Sequence, residues 1–150
     1  MTMMDDGAAP RGEARPHDIR VRVSYGDTDK AGVVYYANYF RFFEQGRGEL
    51  LRALGVAYRD LELEHGIVMP VVEAGCRYLG PCRYDDLLVV RSWIDSIEAA
   101  RLSVRNDVFV DGPAGQTKVA EGFTRHAVLN ALWRPTRLPE AVRLKLAAAS

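Results

Sequence analysis

Cysteine and histidine are scarce in this chain, and net charge is missing altogether. Cys76 and Cys82 are the two cysteines among 150 residues. Two thiols cannot form the disulfide framework of a small secreted domain, so a reducing compartment is expected. His17, His65 and His126 are the three histidines. Their spacing matches no ligand set, so neither a metal nor a cofactor is expected. Lys and Arg number 20, as do Asp and Glu. Balanced charge gives no broad attraction for nucleic acid or an anionic membrane. An anionic ligand would have to meet a local basic patch. No apolar run is long enough to cross a bilayer, and Met1 to Pro16 lacks the apolar stretch of a signal peptide. The expectation is a cytoplasmic protein without membrane insertion.

What is present is enough apolar material, 48% of residues, for one core and one domain. Residues 1–16 read as a flexible N-terminal tail, with Pro10, Gly12, Pro16 and few large apolar groups. Residues 17–150 form the domain. From His17 to Tyr25 polar and apolar residues alternate. Ile19, Val21, Val23 and Tyr25 share one face, as in a half-buried strand. A turn-rich stretch, Gly26 to Gly32, leads to a long helical pattern over about residues 37–54. Phe40, Phe43, Leu50, Leu51 and Leu54 recur at helical intervals, and Tyr36, Tyr39 and Phe42 widen the apolar surface. Gly55 fits a helix C-terminal cap. A shorter helix is expected over Tyr58 to His65, ended by Gly66.

Four strands follow, over residues 68–78, 87–97, 101–110 and 118–132. Pro139 opens a short terminal helix. No repeats and no alternating strand–helix units occur, which argues against a doubly wound sheet. Consecutive strands joined by short turns favour antiparallel pairing. The apolar helix needs burial on several sides. An α+β fold, a five-stranded antiparallel sheet curled around a long central helix, meets both demands.

Asp27-Thr28-Asp29 is the densest polar cluster, between the first strand and the helix. Asp and Thr are ordinary loop and capping residues. Two neighbours add a second reading. Gly32 permits positive φ or close approach to a ligand. The helix start near Tyr36 offers free N–H groups and the positive end of the helix dipole. A carboxylate facing such a terminus could serve acyl transfer. Tyr25, Tyr36, Tyr39 and Phe40 could line an apolar pocket or simply be core. Arg134 and Arg137, after Trp133, could hold phosphates or be solvated loop arginines.

The run from Arg22 through Asp27-Thr28-Asp29 and Gly32 to Tyr35-Tyr36, continued by Ala37-Asn38-Tyr39, resembles the active-site signature of the 4-hydroxybenzoyl-CoA thioesterase family. Met69-Pro70-Val71-Val72 and Arg83-Tyr84-Asp85-Asp86-Leu87 resemble later stretches of it. The likeness spans roughly residues 18–139. It implies the hotdog fold and hydrolysis of an acyl-CoA thioester. It places the catalytic carboxylate at Asp29 and the oxyanion donor at the backbone N–H of Tyr36. Substrate contacts are expected at Gly32, Tyr25, Arg101, Arg134 and Arg137. The family forms homodimers, often paired into homotetramers, with the site at the dimer interface. The branch associated with the Tol-Pal system carries His at the position of Tyr36. The aryl-CoA branch carries a basic cluster where this chain has Glu98-Ala99-Ala100-Arg101, leaving Arg101 alone to serve. Two other readings stand beside the hydrolase: a non-catalytic acyl-CoA-binding module, and a hydroxyacyl-thioester dehydratase. The latter chemistry wants a His with a carboxylate, and the signature contains no His.

Overall fold

The computed structural model describes residues 15–149. The expected tail falls, through residue 14, outside the described residues. At Arg15 the backbone N–H already donates to the Ala149 carbonyl at 3.0 Å. The order is β1 (His17–Arg22), α1 (Asn38–Ala53), α2 (Tyr58–His65), β2 (Val71–Tyr78), β3 (Leu87–Ile97), β4 (Arg101–Gly112), β5 (Gly115–Ala127) and α3 (Glu140–Ala147). One five-stranded sheet runs β1-β3-β4-β5-β2. Every pairing is antiparallel, as short connections between consecutive strands favour.

Helix α1 packs on the sheet against β1, β3, β4 and β5. Tyr39, Phe42, Phe43, Leu50 and Leu51 are buried there. The opposing strand face supplies Leu88, Val90, Val104, Val108 and Ala120, all fully buried. The helix sits unusually close at Gly46. A Cβ there would lie 2.4 Å from Ser92 Oγ and 2.9 Å from Val90 Cγ1. Ser92 donates to Asn106 Oδ1 at 2.7 Å directly beneath. Leu138, Val142 and Leu146 close the far end of the core with Leu50, Leu51 and Ile94.

Several boundaries differ from expectation. The alternation carried to Tyr25 ends at Arg22, because Ser24 and Asp27 cap a 3-10 turn over Tyr25–Asp27. Tyr25 therefore leaves the strand face and is 74% exposed. β2 begins three residues late, after Pro70, which has no N–H for the ladder. β5 stops at Ala127, where Leu129 turns aside to bridge Val68 and Pro135. Pro139 caps α3 rather than occupying its first position, a one-residue difference within ordinary helix-end scatter.

The glycines of α1 give a paired test. A methyl group added at Gly48 would have nothing within 4 Å of it, so Gly48→Ala is expected to stabilise by about 1 kcal/mol through helix propensity. Gly46→Ala gains the same propensity but overpacks the helix–sheet contact, a penalty of ~1–3 kcal/mol. Urea unfolding should therefore show Gly46→Ala less stable than wild type and Gly48→Ala at least as stable.

Candidate active site

The connection from β1 to α1 folds on itself through Asp27. Its side chain is buried and accepts from the Ser24 N–H and hydroxyl, each at 2.9 Å. Its other carboxylate oxygen pairs with Arg41 of α1. Its carbonyl accepts the Tyr35 N–H at 2.9 Å and the Asn38 side-chain amide at 2.8 Å. A small hairpin projects beyond this latch. Thr28 bridges Val34, Val33 bridges Arg83, and the Val34 N–H donates to the Cys82 carbonyl at 2.8 Å.

Asp29 occupies the hairpin's tip. Its backbone N–H bonds to the Val33 carbonyl, and its carbonyl accepts the Gly32 N–H. Gly32 has φ +84°, a value that glycine adopts without steric cost. Asp29 Oδ1 accepts the Ala31 N–H at 2.9 Å. The carboxylate is thus held through one oxygen, and the residue is exposed.

Asp29 borders a cleft of about 400 Å³, lined also by Val33, Val34, Tyr35, Tyr36, Tyr39, Tyr78, Leu79, Gly80 and Pro81. That volume lies in the range of small-molecule sites. The turn before α1 forms one wall. The Asn38 N–H donates to the Tyr35 carbonyl at 2.9 Å, which fixes the peptide carrying the Tyr36 N–H. Among the described residues that N–H has no internal acceptor; it lies in the turn just ahead of α1, one residue before the N-cap Ala37. The end of β2 and the segment after it form the opposite wall. Tyr78 stands edge-on to Tyr39, with centroids 5.1 Å apart. The Tyr39 hydroxyl meets Cys82 Sγ at 3.0 Å, and its acidity is suppressed, chiefly by burial. The Tyr35 phenol is also held above its ordinary value. A hydrogen bond with Tyr36 is the main cause, and the Asp29 charge contributes.

The sequence-predicted residues separate into two groups. Asp29 and Tyr36 border one cleft, with Gly32 shaping the Asp29 turn. Tyr25 lies outside the lining and stacks on Tyr84, with centroids 3.9 Å apart. Phe40 packs edge-on against Phe43. None of Arg101, Arg134 and Arg137 lines the cleft. Arg101 begins β4. Arg134 belongs to a loop whose turn is closed by Asn130 Oδ1. Arg137 lines a separate depression with Glu98, Glu140 and Arg143. Tyr78 and residues 79–81 were missed by sequence reasoning; nothing local marks a strand end as the wall of a site some fifty residues earlier.

A family model described as the thioesterase-like superfamily matches residues 23–146. The chain belongs to this superfamily. A Bacillus subtilis protein provisionally named an acyl-CoA thioesterase is 30% identical over 81% of this chain and 86% of its own. A Thermus thermophilus protein of known structure is 31% identical, with a TM-score of 0.81 over 89% of this chain and 98% of its own. An Asp-to-Asn mutant of 4-hydroxybenzoyl-CoA thioesterase, solved with 4-hydroxybenzoyl-CoA, superposes with a TM-score of 0.82. It covers 89% of this chain and 99% of that one at 23% identity, a likeness of fold. The resemblance to this family and the expected hotdog fold are both borne out.

A second polar cluster lies away from the cleft, beneath α1. Arg47 donates to Thr124 Oγ1 at 3.2 Å, and Thr124 meets His126 Nε2 at 2.9 Å. His126 Nδ1 contacts the Met69 carbonyl at 3.0 Å. Burial, aided by the Arg47 charge, lowers the His126 pKa to about 4. In the unfolded chain the imidazole takes up its proton near the ordinary value of 6.5. Between these values the unfolded state binds the extra proton, so stability falls as pH drops through that window. Two and a half pKa units correspond to up to about 3 kcal/mol. Denaturant melts at pH 7 and pH 4 should therefore show a smaller loss on acidification for His126→Gln than for wild type.

Proposed function

We propose that the protein hydrolyses an acyl-CoA thioester to free acid and CoA, with Asp29 as the catalytic carboxylate and the Tyr36 backbone N–H as oxyanion donor. Thioester hydrolysis follows from the superfamily and from its named relatives. The observation that carries the residue assignment is the shared cleft of Asp29 and Tyr36. A thiolate leaves readily, so little apparatus is needed. Asp29 either attacks the carbonyl to form an anhydride or takes a proton from attacking water. Both routes need the carboxylate anion. Both build negative charge on the thioester oxygen, where an unpaired N–H in the turn leading into α1 is useful. The aromatic and aliphatic lining suits an apolar acyl group. A cytoplasmic location is the companion reading, supported by two unpaired cysteines.

A homodimer, itself able to pair into a tetramer, completes this reading. Both outer strands of the sheet are edges, but they are built differently. β1 presents Asp18, Arg20 and Arg22 outward, and charge is a normal guard against strand addition. β2 and the residue after it expose Val71, Val72, Tyr78 and Leu79 by 44–54%. Laid antiparallel on a second copy about Gly75, β2 is self-complementary. Glu73 meets the partner's Arg77, Ala74 meets the partner's Cys76, and Val72 meets the partner's Tyr78. Tyr78 lines the cleft, so this pairing sets the site at the subunit boundary. No helix of the described residues is long and apolar enough to cross a membrane.

Two measurements test these assignments. Released thiol from a panel of acyl-CoAs should fall at least about a hundredfold for Asp29→Asn, the usual worth of a positioned acid–base group. Tyr36→Phe, which keeps the main-chain donor, should lose far less. Undiminished turnover by Asp29→Asn would overturn the mechanism, and binding without turnover by the wild type would point to a non-catalytic module. For the dimer, Glu73→Arg and Arg77→Glu should each weaken self-association in sedimentation velocity. Mixed together they should recover a heterodimer, because each like-charge contact becomes an opposite-charge contact.

A further inference from the structure

Tyr78 makes one contact that the chemistry above does not use. Its hydroxyl donates to the Tyr36 carbonyl at 2.8 Å. The two residues lie 42 positions apart and meet across the mouth of the cleft. Their rings are edge-on, with centroids 6.4 Å apart. The Tyr36 ring also leans on Tyr35, with centroids 4.8 Å apart, and the residue is 61% exposed. The Tyr36 backbone is therefore clamped from two sides. On its N-terminal side the Tyr35 carbonyl takes the Asn38 N–H. On its C-terminal side the Tyr36 carbonyl takes the Tyr78 hydroxyl.

Resting on the oxyanion role proposed for Tyr36, we infer that Tyr78 is a positioning residue, whose hydroxyl holds the Tyr36 main chain so that its N–H points steadily at the reacting carbonyl. An oxyanion donor is worth most when it is already oriented as charge develops, since no reorganisation remains to be done. Supporting groups must fix such a donor within about 0.5 Å. The Asp27 carbonyl and the Asn38 N–H anchor the chain before Tyr36, and the Tyr78 hydroxyl anchors the peptide that follows it. The phenol is suited to a permanent donor role. Burial, with the Cys76 thiol beside it, pushes its pKa up to about 12, so the hydroxyl keeps its proton at any pH where the protein is folded and active. Tyr78 also ends β2, and its ring packs on Tyr39 of α1. The strand thereby reaches the catalytic turn through one hydroxyl, while the ring serves packing.

Tyr78→Phe separates those two duties, since it keeps the ring and removes the hydroxyl. The full-length variant should melt within a few degrees of wild type and bind free CoA as a product inhibitor equally well. Its kcat on an acyl-CoA should fall about tenfold, less than the ~10²–10³ for outright loss of an oxyanion donor, with KM changed less than twofold. A loss confined to kcat marks an interaction realised in the transition state. Asp29→Asn is assayed in parallel. An inactive Asp29→Asn beside a fully active Tyr78→Phe overturns the positioning role alone. A rise in KM at unchanged kcat also overturns it, making Tyr78 a plain wall of the cleft. Full activity in Asp29→Asn removes the catalytic assignment to this cleft, and the role of Tyr78 with it.

Discussion

The site depends on the burial of Asp27, two residues before the group proposed to do the chemistry. A carboxylate 4% exposed is costly unless hydrogen-bonded and paired. Asp27 meets that demand with Ser24 on one oxygen and Arg41 on the other. These partners come from both sides of the loop, the end of β1 and the first turn of α1. The Asp27 carbonyl binds Tyr35 and Asn38 as well. One residue therefore ties strand, loop and helix start together. Asp29 on the hairpin and Tyr36 before the helix are fixed relative to each other because both hang from this knot.

The knot would be of little use if α1 could slide on the sheet. Gly46 prevents that by letting the helix settle onto Ser92 and Val90 at a distance that no larger residue allows. Gly122 and Phe43 form a comparable close contact farther along, where a Cβ would meet the Phe43 ring at 2.5 Å. Close-packed interiors transmit displacement rather than absorbing it. The head of α1 is accordingly as well placed as the sheet beneath it. The polar pair of Ser92 and Asn106 lies under the point of closest approach, where little room remains for a larger apolar pair.

Local pattern made α2 and β3 legible to the residue. Gly66, with φ +64°, stops α2, and β3 carries a long β-branched and aromatic run between Asp86 and Glu98. The helix α1 was readable within a residue or so, because its apolar positions recur over more than four turns. Errors arose where side chains outcompete the strand pattern. Ser24 and Asp27 turn the chain after Arg22 although the alternation continues to Tyr25, and Asn130 closes a loop where strand propensity runs on. Asp29, Gly32 and Tyr36 stood out because one short segment carries them. The second wall of the cleft did not, since Tyr78 and Pro81 reach it only through the pairing of β2 with β5 and the bridge of Val33 to Arg83.

The cleft's charge distribution limits what can enter it and which way round. Asp29 is the one acidic side chain among its lining residues, and no Lys or Arg accompanies it. The phenols of Tyr35, Tyr39 and Tyr78 are all held in the neutral form. A phosphate pushed into this space would meet a like-charged carboxylate and no cation, which is unfavourable. The acyl group of a CoA ester has no such difficulty. The proposed substrate is therefore oriented before any contact with its nucleotide is made, acyl group inward and phosphates outward. Arg101, Arg134 and Arg137, the residues expected to meet those phosphates, lie on other parts of the surface. That arrangement fits recognition of the nucleotide outside the cleft, separate from the chemistry proposed for Asp29.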